Sequence, residues 1–381
     1  MMDIFAPEHR AAAHADGDPA AAGVGAATGI APRQEIERLI ASGAVAADRP
    51  VEPDQLQPAS LDLRLGPVAH RIRASFLPAE GEELSRKVDE VRLHTIDISG
   101  GAVLETGCVY LVPLQERLAL PQDMAASTNP KSSTGRLDVF TRMIADGAGG
   151  FDFAPAGYRG ALAVEISPRT FPILVREGSR LGQIRFRTGN ARLSDGALAA
   201  LHATTPLASP AAKIADGLNV TIDLKPEGGG PAGYRAKRHT ALIDVDRRDA
   251  LLMSDFWDPI AAKDGKLILD PNEFYILMSR EAVSIPPETA AEMVPFDPLV
   301  GEFRAHYAGF FDPGFGFGAP SRAVLEVRSR EVPFILEHGQ VVAKLSYELM
   351  AALPDVLYGA DLSSNYQAQS LKLSKHFLPH P

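Results

Sequence analysis

VLETGCVYLVPL, residues 103–114, alternates apolar and polar residues around a glycine turn. Two similar runs follow, GALAVEIS at 160–167 and LGQIRFR at 181–187, and turns rich in Pro and Gly separate them. An earlier stretch, QPASLDLRLG at 57–66, alternates in the same way and ends on Gly66. Alternation with a period of two, interrupted by turn signals, predicts the strands of an all-β barrel or sandwich with few short helices.

The pattern occurs twice along the chain. AVLETGCVYLVPLQERLALPQDMAAS (102–127) parallels LILDPNEFYILMSREAVSIPPETAAEM (267–293), and LAVEISPRTFPILVREGSRLGQIRF (162–186) parallels AVLEVRSREVPFILEHGQVVAKLSY (323–347). Tyr110 matches Tyr275 and Glu165 matches Glu326, at offsets of 165 and 161 residues. So long a period is not that of a solenoid and indicates a duplicated domain. We predict a mobile extension (1–30), a first domain with a connecting tail (31–240) and a second domain with a C-terminal tail (241–381).

Composition excludes several classes of protein. The chain has 381 residues and a net charge of -10, which argues against a protein that coats nucleic acid. Its single cysteine, Cys108, lies in a strand pattern, so an intrachain disulfide and the Cys-x-x-Cys half of a zinc deaminase site are both impossible. The sequence shows no secretion signal and no apolar window long enough to span a bilayer. We therefore expect a cytoplasmic protein without nucleic-acid or membrane partners.

The stretch NPKSSTGRLD, residues 129–138, concentrates hydrogen-bond donors. Lys131, Ser132, Ser133 and Arg136 offer hydroxyls and two cations to one small volume, which suits a polyphosphate, although a solvated turn with a helix cap has the same composition. In the second copy, the positions of the two serines and the arginine hold Asp297, Pro298 and Gly301. Only the first copy therefore carries this cluster.

A glutamate recurs in the strands of both copies. Glu165 lies between Val164 and Ile166, so its side chain points to the face opposite theirs, and a surface position would explain it. However, Glu326 repeats it, and a turn that combines glycine with an aromatic residue precedes each, FDFAPAGYRG or FFDPGFGFG. A carboxylate that lines a pocket beside such a turn is a candidate general base, because partial burial raises its proton affinity.

Five blocks resemble, in order, those of the dCTP deaminase branch of the dUTPase-like superfamily: QPASLDLRLG, KSSTGR, AGYRGALAVEIS, EGSRLGQIRF and YGADLSSNYQAQSLKLSKHF. The resemblance covers roughly residues 30–375 and is to the tandem form, in which two such domains are fused. It implies two dUTPase-like β-barrel or jelly-roll domains. It also implies hydrolytic deamination of dCTP to dUTP and ammonia, a step of pyrimidine deoxynucleotide biosynthesis.

The resemblance also implies roles for individual residues. Ser132 and Arg136 match the catalytic serine and arginine, and Glu165 matches the general base. Nucleotide contacts are implied for Lys131, Ser133, Asp152, Tyr158, Gln183, Asp312, Phe315, Tyr366, Gln369 and Lys372, with a weaker echo of the tail at Tyr234 and Lys237. The hairpin of the first copy, FDFAPAGY, departs from the family pattern by about three extra residues after Asp152. The hairpin of the second copy, FDPGF with Asp312, is closer to that pattern.

Two arrangements of the site remain open. Sites of this superfamily lie between domains of a three-fold ring, so the resemblance implies a homo-oligomer. If each ring holds one kind of copy, Ser132, Arg136 and Glu165 form the site; if the copies mix, Glu326 with Asp312 and Phe315 faces the serines. A three-membered ring cannot alternate two kinds evenly, so we favour Glu165, with Glu326 as the alternative base.

No metal from the protein is expected in the chemical step. Mg²⁺ would enter only with the triphosphate of dCTP or dUTP, and dTTP is a candidate inhibitor. The rival enzymes are a dUTPase and a bifunctional deaminase and dUTP diphosphatase, in which a hairpin aspartate such as Asp152 or Asp312 would act with metal. A rival of another class is a regulator that binds deoxynucleotides without turnover.

Overall fold

The structure is a computed structural model that describes residues 28–79, 81–295, 303–305, 309–329, 331–359 and 371–378. Most of the predicted mobile extension, and Tyr366 and Gln369 of the predicted tail, lie outside the described residues. The described chain consists mostly of strands with short helices, which confirms the all-β prediction. No helix of the described residues is long and apolar enough to cross a membrane.

The first copy (residues 28–190) contains thirteen strands and three helices among the described residues. They are β1 (Gly29–Ile30), α1 (Arg33–Ala41), β2 (Val45–Ala47), β3 (Leu61–Leu63), β4 (Val68–Ile72), α2 (Leu84–Val91), β5 (Arg92–Asp97), β6 (Ala102–Leu104), β7 (Val109–Ala119), β8 (Met124–Pro130), α3 (Ser132–Gly135), β9 (Val139–Ala145), β10 (Phe153–Ala154), β11 (Arg159–Pro168), β12 (Ile173–Val175) and β13 (Gly182–Thr188).

The second copy (residues 194–349) follows after a short connection. It contains α4 (Asp195–Thr204), β14 (Ala208–Ser209), β15 (Leu218–Thr221), β16 (Gly233–Ala236), β17 (Ile243–Asp244), α5 (Met253–Phe256), β18 (Trp257–Ile260), β19 (Lys266–Leu269), β20 (Phe274–Val283), β21 (Thr289–Pro295), β22 (Phe303–Ala305), β23 (Phe310–Phe311), β24 (Ser321–Ser329), β25 (Phe334–Glu337) and β26 (Val341–Leu349).

The sheet topology shows the duplication directly. The strand order β5-β4-β7-β11-β9 of the first copy recurs as β18-β16-β20-β24-β22 in the second, and β13-β8-β10 recurs as β26-β21-β23. In both copies an extra short strand, β2 or β14, pairs with the long strand β7 or β20. The long alternating runs of the sequence are therefore equivalent strands of two copies of one fold.

The boundary between the copies lies earlier than the sequence predicted. Residues up to 240 were assigned to the first domain and its tail, but β14, β15 and β16 pair with strands of the second copy. The looser composition of residues 189–239 hid these strands, which are only two to four residues long. Tyr234 consequently lies in β16 and is not an echo of the tail.

The two copies share a hydrophobic core. It joins Val164 and Ile166 of the first copy to Trp257, Phe274 and Val324 of the second, all buried. The rings of Phe171 and Trp257 meet edge to face with centroids 5.5 Å apart. Because this contact is packed like the interior of a domain, the copies hold each other in a fixed relation.

An arm of the second copy reaches across the first. The arm (residues 237–256) connects β16 to β18, and its strand β17 pairs in parallel with β12. Arg176 donates to both carboxylate oxygens of Asp244 on the arm, at 2.7 and 2.9 Å, and this pairing lowers the pKa of Asp244. The terminal segment (residues 371–378) then packs on the arm, with Leu378 N donating to Leu251 O at 2.8 Å. The arm and the terminal segment therefore carry residues of the second copy to the first.

Candidate active site

A cavity of 670 Å³ lies between the two copies. Ser132, Ser133, Arg136 and Lys131 line it from the first copy, and Glu326 lines it from the second. The site residues Gln183, Asp312 and Phe315 line the same cavity. The structure thus brings the donor cluster of one copy together with the recurring glutamate of the other.

The serines lie on a short helical turn at the end of β8. The turn α3 begins after Lys131, and its anchors are the bonds from Lys131 N and Thr134 Oγ1 to Leu181 O, at 2.9 and 2.8 Å. Leu137 is buried below it. Arg136 Nη1 donates to Lys372 O at 2.8 Å, so the turn also contacts the terminal segment.

Glu326 reaches the cavity because of the alternation of β24. Leu325 and Val327 point into the core of the second copy. Val324, Glu326 and Arg328 therefore share the opposite face, which meets the first copy. Val324 packs in the shared core, and Arg328 forms an ion pair with buried Asp138, just beyond the serine turn. These contacts hold the glutamate strand against the turn.

Glu165, which the sequence analysis favoured as the base, does not line this cavity. Its Oε1 accepts hydrogen bonds from Arg142 Nη2 at 2.9 Å and Nε at 3.3 Å. Ala163 on the same face packs against Val88 and Val91 of α2. The argument from ring parity assumed that like copies adjoin, whereas the two unlike copies of this chain are in contact and Glu326, not Glu165, lines the cavity with the serines.

The first hairpin does not contribute to the cavity. Asp152 lies at φ 57°, and its Oδ1 accepts from Met143 N at 2.7 Å and Thr128 Oγ1 at 3.1 Å. Burial raises the pKa of Asp152 to about 6. Tyr158 is buried in the first core and donates to Ala161 O at 2.6 Å. Neither residue, although both were predicted to contact the nucleotide, lines this cavity, and both form hydrogen bonds within the first copy.

The hairpin of the second copy, which contains FDPGF (311–315), forms one wall of the cavity, and Arg185 of the first copy binds this hairpin. Arg185 is fully buried and donates to Ala291 O at 3.1 Å, Phe311 O at 3.3 Å and Asp312 Oδ1 at 3.2 Å. Its guanidinium lies 4.1 Å from the centroid of the Phe310 ring. Burial raises the pKa of Asp312, and the neighbouring Arg185 opposes that shift. The hairpin is therefore positioned by a cation of the other copy.

Three predicted binding residues lie elsewhere. Tyr234 is buried in the shared core, and Lys237 Nζ donates to Ser254 O at 2.6 Å within the arm. Neither lines the cavity. The side chain of Lys372 is exposed, and its carbonyl oxygen accepts the bond from Arg136. The tail-like composition around residues 234–237 reflected a short strand and not a second nucleotide tail.

Sequence reasoning missed several residues that line the cavity. Tyr358 opens the block YGADLSSNYQAQ, and its ring lies 5.7 Å from that of Phe315. Asp62, in the block QPASLDLRLG, pairs with Lys131. Lys375 lies in the same tail block as Tyr358, whereas Arg248 lies in a segment whose composition gave no signal of a site. Only the blocks that resembled the family therefore offered a way to find these residues.

The terminal segment is fastened to the serine turn by Ser374 and His376. Ser374 Oγ donates to Ser133 O at 2.8 Å and lies 2.9 Å from His376 Nδ1, and His376 Nε2 donates to Val245 O at 2.9 Å. Burial lowers the pKa of His376 to about 4. The neutral imidazole is thus the form that the folded segment keeps near neutral pH.

A pH-dependent stability follows from His376. In the unfolded chain its pKa is about 6.5, so its contribution is present above that pH and is lost as the pH falls toward 4, a change of about 3 kcal/mol. We expect wild type to lose more stability than His376→Gln between pH 7 and pH 4. Urea unfolding at each pH measures this difference. Asp152 has a raised pKa, so its contribution to stability changes with pH in the opposite direction. This contribution is the same in both proteins and cancels in the comparison.

His94→Gln is the matched control, because His94 is exposed on β5. It should keep the wild-type pH dependence. Parallel pH profiles for wild type and His376→Gln would contradict the burial of a neutral His376.

The comparisons with known proteins agree with this architecture. The family model "2'-deoxycytidine 5'-triphosphate deaminase (DCD) N-terminal domain" matches residues 27–190, and the model of the corresponding C-terminal domain matches residues 194–377. The chain belongs to the 2'-deoxycytidine 5'-triphosphate deaminase family. The family boundary near residue 190 agrees with the start of the second copy at α4.

A solved structure is similar to this chain over most of its length. The crystal structure of 2'-deoxycytidine 5'-triphosphate deaminase from Agrobacterium tumefaciens is 57% identical, with a TM-score of 0.82 over 86% of this chain and 100% of that one. Two curated relatives match a shorter stretch. The dCTP deaminase of Haloarcula marismortui is 31% identical over 158 residues, and the dUMP-forming dCTP deaminase of Beutenbergia cavernae is 34% identical over 160. Each match covers 40% of this chain and 76% of the relative.

No group of three or more His, Cys, Asp or Glu side chains in the described part of the chain is arranged to hold a metal ion. That Mg²⁺ enters only with the triphosphate, and not through ligands from the protein, stays a prediction. Hydroxyls, carboxylates and cations line the cavity.

Proposed function

We propose that this chain hydrolyses dCTP to dUTP and ammonia in the cavity between its two copies. The observation that carries the proposal is that Ser132 and Arg136 of the first copy line one cavity with Glu326 of the second. The family and the named relatives support dCTP as the substrate. The site thus belongs to both copies and neither forms it alone.

Glu326 acts as the general base in this proposal. Its carboxylate takes a proton from water while the water oxygen bonds to C4 of cytosine, and it passes that proton to N3 of the ring. Glu326 then takes the remaining proton from the new C4 hydroxyl and passes it to the C4 amino group, so the C4–N bond breaks, the C4 carbonyl forms, and ammonia leaves. Ser132 orients the water, and Arg136 orients the carboxylate and balances its charge. The water supplies the oxygen of the new carbonyl, so the atoms balance.

The aromatic wall suits the pyrimidine ring. Phe310, Phe311, Phe315 and Tyr358 line the cavity on the side of the second hairpin, where a flat base can stack. Lys131 and Ser133 supply phosphate contacts in this arrangement, and Mg²⁺ accompanies the triphosphate. A cytoplasmic location and assembly into three-fold rings belong to the same proposal and rest on the resemblance.

A dUMP-forming enzyme is the second candidate. The observation that favours it is the presence of Asp312 in the same cavity, because a carboxylate there can serve attack on phosphorus with Mg²⁺. The relative from Beutenbergia cavernae carries the dUMP-forming name. Deamination is common to both candidates, and only the fate of dUTP separates them.

One incubation tests these alternatives. Purified protein with dCTP and Mg²⁺ should release one ammonia per nucleotide, and chromatography identifies the product. Accumulating dUTP supports the monofunctional deaminase, whereas dUMP with pyrophosphate supports the bifunctional one. Bound but unchanged dCTP without ammonia would contradict catalysis and support a nucleotide-binding regulator.

A further inference from the structure

The cations that line the cavity differ in their partners. Lys131 pairs with Asp62, and Arg180 pairs with Glu52 and Asp54. Among the described residues, neither Lys375 nor Arg248 forms an ion pair, although both line the cavity. Two adjacent cations without carboxylate partners leave a positive charge that an anion can neutralise.

Lys375 is held in place by its neighbours. Asp249 N donates to Lys375 O at 3.0 Å, which places the lysine beside Arg248 on the arm. Ser374, the residue before Lys375, donates a hydrogen bond to the serine turn, and Phe377, two residues after Lys375, packs in the shared core. The backbone that carries Lys375 is therefore anchored on both sides, so little order is lost when its side chain binds a ligand.

The aromatic and the cationic residues of the cavity come from different segments of the chain. The second hairpin supplies Phe310, Phe311 and Phe315, whereas Lys375 and Arg248 come from the terminal segment and the arm. A nucleotide has the same division between a flat base and a charged phosphate chain. With the base against the aromatic rings, the phosphate chain extends toward the cations.

The surroundings of Lys375 oppose its charge while the cavity holds no anion. Burial, and after it the positive charges of Lys131 and Arg248, lower the pKa of Lys375 to about 8, against the smaller opposite effects of Asp62 and Asp246. The adjacent His376 is neutral near pH 7. A polyphosphate beside these groups would reverse the balance and favour protonated Lys375.

We propose that Lys375, together with Arg248, binds the distal phosphates of the substrate and takes up a proton as the polyphosphate binds. This inference rests on the proposed function, and it assigns the selection of a triphosphate to residues outside the serine turn. The arm and the terminal segment of the second copy thereby complete a site whose serines belong to the first.

Isothermal titration of the full chain with tripolyphosphate and Mg²⁺ tests the proposal directly. Lys375→Met should weaken tripolyphosphate binding about 10- to 100-fold, the expected loss of a charge-assisted contact. The same variant should raise the KM for dCTP with little change in kcat. Lys213→Met is the charge-matched control, because Lys213 is exposed and does not line the cavity, and it should bind as wild type does.

Proton uptake separates this role from a merely structural one. Titrations at pH 8 in two buffers of different ionisation enthalpy should show about half a proton taken up per tripolyphosphate by wild type, since the pKa of Lys375 is about 8. Affinity should fall as the pH rises above 8. Lys375→Arg stays protonated, so it should retain affinity and lose the proton uptake.

Two outcomes would overturn the proposal: wild type that does not bind tripolyphosphate, or Lys375→Met with wild-type affinity and proton uptake. Ammonia release from dCTP with an unchanged KM in Lys375→Met would leave the deaminase function standing and refute this site. Conversely, tripolyphosphate binding that depends on Lys375, without ammonia release by wild type, would refute the deaminase function and support the phosphate site.

Discussion

We expect Glu326→Gln to lower kcat for dCTP deamination by about 10²- to 10⁴-fold, the usual contribution of a general base. Gln keeps the size of the side chain and its acceptor oxygen but cannot take a proton from water. The variant should still bind dCTP, because the aromatic wall and the cations of the cavity are unchanged. Ammonia release gives kcat, and titration calorimetry gives the affinity.

Glu165→Gln is the matched control, since Glu165 is the equivalent residue of the first copy. It should keep kcat near the wild-type value and lower the free energy of unfolding by about 1–3 kcal/mol, because Arg142 loses its charged partner. The reverse result, with activity lost only in Glu165→Gln, would refute our choice of base. It would restore the segregated arrangement of copies.

Removal of Arg185 is expected to have the second large effect. Arg185→Met should lower the free energy of unfolding by about 3–5 kcal/mol, because Asp312 would stay buried without its cation. The same change frees the second hairpin, so kcat/KM for dCTP should fall as well. Urea unfolding and steady-state kinetics on one preparation measure both effects.

Two comparisons make this prediction specific. Arg187→Met, two residues along β13, breaks a partly exposed pair with Glu348 and should cost only about 1 kcal/mol. Loss of Arg185 also removes a charge that lowers the pKa of Asp312, so protonation of Asp312 should recover part of the stability as the pH falls. Equal costs for the two variants would show that Arg185 contributes no more than a surface cation.

The strands and the duplication could be predicted because their signals are local. Alternation in VLETGCVYLVPL and its repeat follows from the period of two that a half-buried strand imposes, and β7 and β20 confirm it. The boundary between copies was placed too late, at residue 240. Strands as short as β14 and β16 carry too few residues to show a period, and only their pairing with β20 identifies them.

The amino-acid sequence by itself determined the all-β class, the two copies, and the candidate groups Ser132, Arg136 and the two glutamates. It could not decide which glutamate meets the serines, because that depends on which copy packs against α3. The tertiary structure decided this through contacts distant in sequence, such as the ion pair of Arg328 with Asp138 and the bonds of Arg185 to the second hairpin. Such contacts leave no periodic trace in the chain, since each depends on the packing of a whole sheet face and not on neighbouring residues.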